Sequence, residues 1–299
     1  MDRLGITLGI VNNMPSAARK STRRQFLEII SAAAPIPMTI RWFAMEASDG
    51  YEPIERLWES NLDGLIVTGN EPHGDLLTDE PCWPQLVETV EWAKYHTISA
   101  IWSCLAAHAA AFRLDGVERR ALPEKISGVF LSQKTSDHPL VVDLQAVWRV
   151  PHSRCNDLSE RDLTSCGYQL LSRSSVAGVD MAFKRVRESA FLFIQSHPEH
   201  DAQALLREYR RDVMRFIAHE RESYPAIPHG YFSEAIIRSM ESLRLDALRN
   251  RDADWSPRLR VLDSAEVRCP WKPTAVQLYR NWIRLLAVEQ ARAAVQVAL

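Results

Sequence analysis

Strand and helix signals alternate through the first hundred residues, and no other feature narrows the possible folds as much. "LGITLGIVNN" (Leu4–Asn13) reads as a buried strand, "STRRQFLEIISAA" (Ser21–Ala33) as an amphipathic helix capped by Ser21 or Thr22, and "PMTIRWFAM" (Pro37–Met45) as a second strand. A short helix in "EPIERLWES" (Glu52–Ser60) leads to the strand "DGLIVTG" (Asp63–Gly69). The helix "WPQLVETVEWAKYH" (Trp83–His96) and the strand "ISAIWS" (Ile98–Ser103) follow. Strands alternating with helices pair in parallel through crossover connections. The expected class is α/β: an open, mostly parallel sheet flanked by helices.

From Gly128 onward the pattern shortens to strands and turns: "GVFLSQ", "AVWRVPHSR", "GYQLLS", "GVDMAFKRV" and "AFLFIQS". These should extend the sheet with antiparallel pairs. Helices are then expected over Asp201–Glu220, over Ser233–Arg249 and from Thr274, with the connection "YPAIPHGYF" between the first two. With no repeat or flexible linker, residues 1–299 read as one domain, an α/β core over 1–220 and a helical carboxy-terminal elaboration over 221–299.

Composition excludes several functions. A net charge of -2 gives no reason to expect a nucleic-acid partner. No window of eighteen uncharged apolar residues spans a membrane, and the first apolar run is too short for a signal peptide, so a cytoplasmic protein is expected. Five cysteines, without a C-x-x-C pair or metal-ligand spacing, suggest reduced thiols and no metal.

Sites in open α/β sheets gather at the carboxyl ends of strands. Asn12-Asn13-Met14-Pro15, Thr68-Gly69-Asn70 and Ser103-Cys104 all lie at such ends. In "IWSCLAAHAAAF" (Ile101–Phe112) Cys104 stands between a strand and a helix, where amide dipoles favour a negative sulfur, and it is the candidate nucleophile. In "FIQSHPEHD" (Phe193–Asp201) His197 and Glu199 sit two residues apart, a spacing that lets a carboxylate orient an imidazole. The bland readings are a buried structural thiol and an ordinary turn.

The order of motifs resembles the homoserine O-succinyltransferase family, of the class I glutamine amidotransferase-like (flavodoxin-like) fold. The matching pieces are "NNMP", "QFLEIIS", "DGLIVTG", "LPEKISGVF", "PHSR" and "HPEHDAQALLREYRRDV", spread between about residue 5 and about residue 290. The resemblance implies acyl transfer from an acyl-CoA to the homoserine hydroxyl, with the acyl-CoA a co-substrate and no permanently bound cofactor. It implies Cys104 as the nucleophile that carries the acyl group, His197 as the base and Glu199 as its orienting partner. It further implies Glu208 and Arg211 on the amino-acid substrate, Ser153 and Arg154 in substrate positioning, backbone amides near Leu105 and Asn70 as an oxyanion hole, and a homodimer. For Glu208 and Arg211 the bland reading is a solvated i,i+3 pair.

Four departures from the family pattern matter. No lysine directly follows Met14-Pro15; Leu105 replaces a tryptophan and His108 a glutamine beside the nucleophile; and His73 occupies the position where glycine accompanies succinyl-CoA and glutamate acetyl-CoA. A histidine can pair with a succinyl carboxylate, so succinyl-CoA is favoured over acetyl-CoA. Homoserine is favoured over serine as acceptor. The basic run "ARKSTRR" (Ala18–Arg24) reads as a solvated helix face or a contact for coenzyme A phosphates. A glutamine amidase and a catalytically silent binding module are the competing readings.

Overall fold

In the computed structural model, which describes residues 5–46, 48–255, 257–260 and 266–297, the strands form one ten-stranded sheet. The first half reads β1 (Ile6–Val11), α1 (Ser16–Ala33), β2 (Met38–Ala44), β3 (Glu52–Pro53), α2 (Glu55–Trp58), β4 (Gly64–Val67), α3 (Trp83–His96), β5 (Ser99–Ser103) and α4 (Leu105–Asp115). The antiparallel portion contains β6 (Arg120–Lys134), β7 (Val147–Asp157), α5 (Glu160–Ser165), β8 (Gln169–Ser174), β9 (Gly178–Val186) and β10 (Ser189–Ile194). Helices α6 (Ala204–Ile217), α7 (Glu234–Arg249) and α8 (Lys272–Val297) complete the chain.

Spatial order is β3-β2-β1-β4-β5-β10-β9-β8-β6-β7, parallel from β3 to β10 and antiparallel beyond. This is the open, mostly parallel sheet expected from the alternating pattern. The chain leaves β1 toward β2 on one side and returns to β4 on the other, so the strand order reverses between β1 and β4. Such a switch point opens a crevice at the carboxyl ends of the strands.

The central strands are buried at every position, and successive side chains turn to opposite faces of the sheet. Leu65, Val67, Ala100, Trp102, Phe191 and Phe193 pack on one face with α3 and α4. Ile66, Ile101, Leu192 and Ile194 pack on the other, against Phe26, Ile29 and Ile30 of α1 and Leu278, Trp282 and Leu286 of α8. The terminal helix therefore packs within one layer of the core. Trp282 donates its indole N–H to Ser99 Oγ at 2.9 Å, and Asn281 Nδ2 donates to Val142 O at 2.6 Å. Helices α6 and α7, Tyr231 and Phe232, and the segments around Trp255 and Trp271 form a separate apolar cluster with Val129 of β6.

Helix α1 begins five residues before the expected cap. Pro15, at φ −55°, presets the turn that launches it. Ser21 instead sits within the helix and donates to Ala18 O. The arginines of the basic run engage the protein itself: Arg19 donates to Met14 O, Arg23 covers Trp42, and Arg24 reaches Asp201 at 2.7 Å, while Lys20 is exposed.

The connection after α6 is stitched to β6. Val129 N–H donates to His229 O at 2.7 Å, and His229 N–H to Ser127 O at 2.9 Å. Gly128, at φ +143°, permits this approach, since a Cβ there would fall 2.3 Å from His229 O.

Candidate active site

Strand β5 ends at Ser103, and the chain turns into α4 through Cys104, which holds φ 51° and ψ −117°. A side-chain-bearing residue at positive φ is strained, and the strain persists only where the surroundings enforce it. Here the neighbouring strand does so: Ser103 pairs with Ile194 of β10, and Cys104 N–H donates to Ile194 O at 2.7 Å. Gly69 packs from the other side, where a Cβ would lie 2.9 Å from Cys104 Cβ and 3.0 Å from Leu105 N. Leu105 opens α4, and its amide stands ahead of Ala107 and His108, the first to donate back to Cys104 O. Asn70 continues the turn and accepts a hydrogen bond from Glu71 N–H.

Because β10 lies beside β5, His197 comes to the same end of the sheet, and its backbone N–H donates to Pro151 O of β7 at 2.8 Å. The His197 Nδ1–H donates to Glu199 Oε1 at 2.8 Å. Burial pulls the His197 imidazolium down, but the Glu199 charge and the Cys104 sulfur outweigh it and hold the ring well above the ordinary histidine range. Burial likewise pushes Glu199 up, yet the facing imidazole leaves its carboxyl below the usual value. The ring of His200 stacks on that of His197 with centroids 4.4 Å apart, and burial pushes it down to about 4. His197, Glu199 and His200 also place three potential metal-ligand atoms within 4.8 Å of one another, among the described residues. The hydrogen bond between His197 and Glu199 already occupies two members of that set.

Cys104, His197, Glu199, Leu105 and Asn70 line a cavity of about 190 Å³, with Ser153, Arg154, Glu208 and Arg211 in the same wall. Ser153 Oγ donates to Glu208 Oε2, and Lys125 Nζ stands 3.5 Å from Glu208 and 3.1 Å from Asp212. Burial would raise the Glu208 carboxyl, but Lys125, His200 and Ser153 bring it below the ordinary carboxylate range. Arg211 is held between Asp212 at 2.9 Å and Glu71 at 3.7 Å. The bland reading of an i,i+3 pair between Glu208 and Arg211 does not describe this wall, since each residue has its own opposite partner.

Two expected positions differ. Arg154 lines the cavity but turns its guanidinium inward, donating to Asn156 O at 2.9 Å and to Ala177 O, so it braces the loop beyond β8. His73 does not line the cavity. Its backbone N–H and ring lie 3.1 and 3.3 Å from Glu80 Oε2, because that buried carboxylate draws it to the outer side of its loop. His108 is buried, lines the cavity and reaches Gln195 Oε1 at 3.0 Å through Nε2, and burial pushes its pKa down to about 4. Sequence reasoning also left out Lys125, Arg119, His200 and Asp212. Lys125 and His200 stood inside the motifs "LPEKISGVF" and "HPEHD", whereas no motif or periodicity marked Arg119.

A family model described as homoserine O-succinyltransferase matches residues 2–292. A homoserine O-succinyltransferase of Rhodopseudomonas palustris is 41% identical over 95% of this chain and 89% of its own. One of Bradyrhizobium japonicum is 40% identical over 96% and 91%. Among solved structures, a glutamine amido transferase from Methylobacillus flagellatus superposes with a TM-score of 0.54 at 16% identity, over 95% of this chain and 96% of its own, a likeness of fold. With the match running through nearly the whole chain, from the first strand into the helix that closes the core, the protein belongs to the homoserine O-succinyltransferase family.

Proposed function

We propose that the protein transfers a succinyl group from succinyl-CoA to the side-chain hydroxyl of L-homoserine, through a thioester on Cys104, as a step of methionine biosynthesis. The observation that carries this reading is the convergence, in one cavity, of Cys104 at a strained strand end with the His197–Glu199 pair from the neighbouring strand. The family relatives named for this activity support the donor and the acceptor.

The reaction divides into two halves. The Cys104 sulfur attacks the thioester carbonyl, and the oxyanion is met by amides of Leu105 and of the Gly69–Asn70 turn. The carbon–sulfur bond to coenzyme A breaks, and the leaving thiolate takes the proton held on His197. The now neutral His197 accepts the hydroxyl proton of homoserine as that oxygen attacks the acyl-enzyme. Cys104 departs as thiolate beside the regenerated imidazolium. Glu199 offsets the charge on His197 in the resting state and again in its last step.

Glu208 and Arg211 supply opposite charges for the amino and carboxylate groups of homoserine, with Ser153 and Lys125 fixing Glu208 between them. The protein is read as a cytoplasmic homodimer. Among the described residues no helix is long and apolar enough to cross a membrane.

Purified protein should release free coenzyme A thiol from succinyl-CoA only when homoserine is present, with O-succinylhomoserine identified by mass. Faster release from acetyl-CoA would reassign the donor, and equal turnover of serine would reassign the acceptor. Absence of release with every donor would leave a silent binding module, and ammonia from glutamine would mark an amidase.

A further inference from the structure

If the donor carries a succinyl group, the cavity must meet a second carboxylate at the far end of the acyl chain. Its cations differ in what they have left to offer. Lys125 is shared by Glu208 and Asp212, Arg211 is assigned above to the carboxylate of the acceptor, and Arg221 stands 3.7 Å from Asp212. Arg154 donates to backbone carbonyls.

Arg119, just before β6, is different. Its side chain is 3% exposed, and it lines the cavity in company with Asn70, Glu71 and Pro72. Its Nε donates to Asp75 O at 3.2 Å, and its Nη2 donates to Gly74 O at 2.5 Å and to the buried Glu80 Oε1 at 3.1 Å. Its Nη1 is buried and has no hydrogen-bond partner among the described residues. A buried guanidinium nitrogen without an acceptor is costly, and charge-assisted recognition of a carboxylate would satisfy it.

We propose that Arg119 is the donor-specificity residue of this enzyme, its Nη1–H groups donating to the distal carboxylate of the succinyl group while Glu80 fixes the guanidinium from behind. The inference rests on the acyltransferase reading above. It also accounts for His73: the histidine pairs with Glu80 behind Arg119, so it supports the anion site without lining it. An acyl chain of the same length that ends in a methyl group leaves the Arg119 nitrogen unsatisfied.

The test compares succinyl-CoA with butyryl-CoA, which has the same chain length and lacks the carboxylate, in homoserine-dependent release of coenzyme A. Hydrogen bonds to charged groups contribute about 1.5–3 kcal/mol, so the wild-type preference in kcat/KM should be roughly 10- to 150-fold. Arg119→Gln should bring that ratio near one, mainly by raising KM for succinyl-CoA and not for butyryl-CoA. Arg119→Lys retains a charge against Glu80, serves where the glutamine variant does not fold, and should give an intermediate ratio. A wild-type ratio near one, or a folded variant of either kind with the wild-type ratio, overturns the assignment. Equal loss with both donors does too, because it marks Arg119 as a loop brace only. Failure of the acyltransferase reading looks different: no donor gives homoserine-dependent release in the wild type.

Discussion

His197 and Glu199 meet through a hydrogen bond of 2.8 Å inside the cavity, and this contact decides which ring nitrogen of His197 faces Cys104. With Nδ1–H given to the carboxylate, Nε2 is the nitrogen left for proton transfer with sulfur and substrate. The same carboxylate keeps the imidazolium protonated above its usual range.

Glu199→Gln removes that charge and should lower kcat by roughly 10²- to 10⁴-fold. On the proposed mechanism the active form carries a protonated His197, so activity should be lost as pH rises through its elevated folded-state pKa. In the variant this alkaline limb should move to lower pH. A pH profile of Cys104 acylation measures it, and an unmoved limb would exclude the pairing as its origin.

Cys104→Ala should abolish turnover while leaving the fold and the Trp282–Ser99 contact intact. Mass spectrometry of wild-type protein mixed with succinyl-CoA alone should show one succinyl group, on the peptide carrying Cys104, and none in the variant. Substantial turnover by the alanine variant would rule out the covalent route.

Gly69→Ala would place a methyl group 2.9 Å from Cys104 Cβ and 3.0 Å from the Leu105 nitrogen. Either the turn or the nucleophile must shift, and misplacement on this scale costs roughly 10- to 100-fold in rate. Circular dichroism should remain native while the acylation rate falls. An unchanged rate would show that the oxyanion amides are not gathered at this turn.

Glu208→Gln should raise the homoserine KM by roughly 10-fold or more, since it removes one charged partner of the amino acid. Acylation of Cys104 in the absence of homoserine should change much less. Equal damage to both half-reactions, measured by stopped flow, would place Glu208 outside acceptor recognition.

His108 is buried and neutral, with its pKa pushed down to about 4, so the unfolded chain binds a proton that the folded chain refuses. This group favours unfolding progressively as pH falls from about 6.5 to about 4, by up to about 3 kcal/mol. His108→Gln keeps a donor for Gln195 and should flatten that part of the stability curve in urea titrations. Identical pH slopes for the two proteins would sink the assignment.

The fold is legible because the central strands are short, nearly continuous apolar runs separated by helical periods, as a sheet covered on both faces requires. Ile101 and Leu192 turn to one layer, Trp102 and Phe193 to the other. The start of α1 was misread because Ser21 is a good cap residue in the abstract, whereas Pro15 and the β1 loop set the entry. Cys104 and His197 could be found from strand ends, since a parallel sheet brings such ends to one edge. His73 could not be placed, because counting along a loop is blind to a buried carboxylate drawing it outward. Arg119 was invisible for the same reason: only tertiary structure shows which cation has spent its donors and which has not.

The insertion of β10 between β5 and β9 also has a temporal side. Cys104 and His197 are separated by the whole antiparallel excursion, and the strand that brings them together is the last to be synthesised. Such a distant pairing forms late, after the loop-closure cost of the intervening chain has been met. A nascent chain emerging from the ribosome therefore displays the Cys104 thiol long before it has His197, and on the acyltransferase reading a fragment ending before β10 should not turn over.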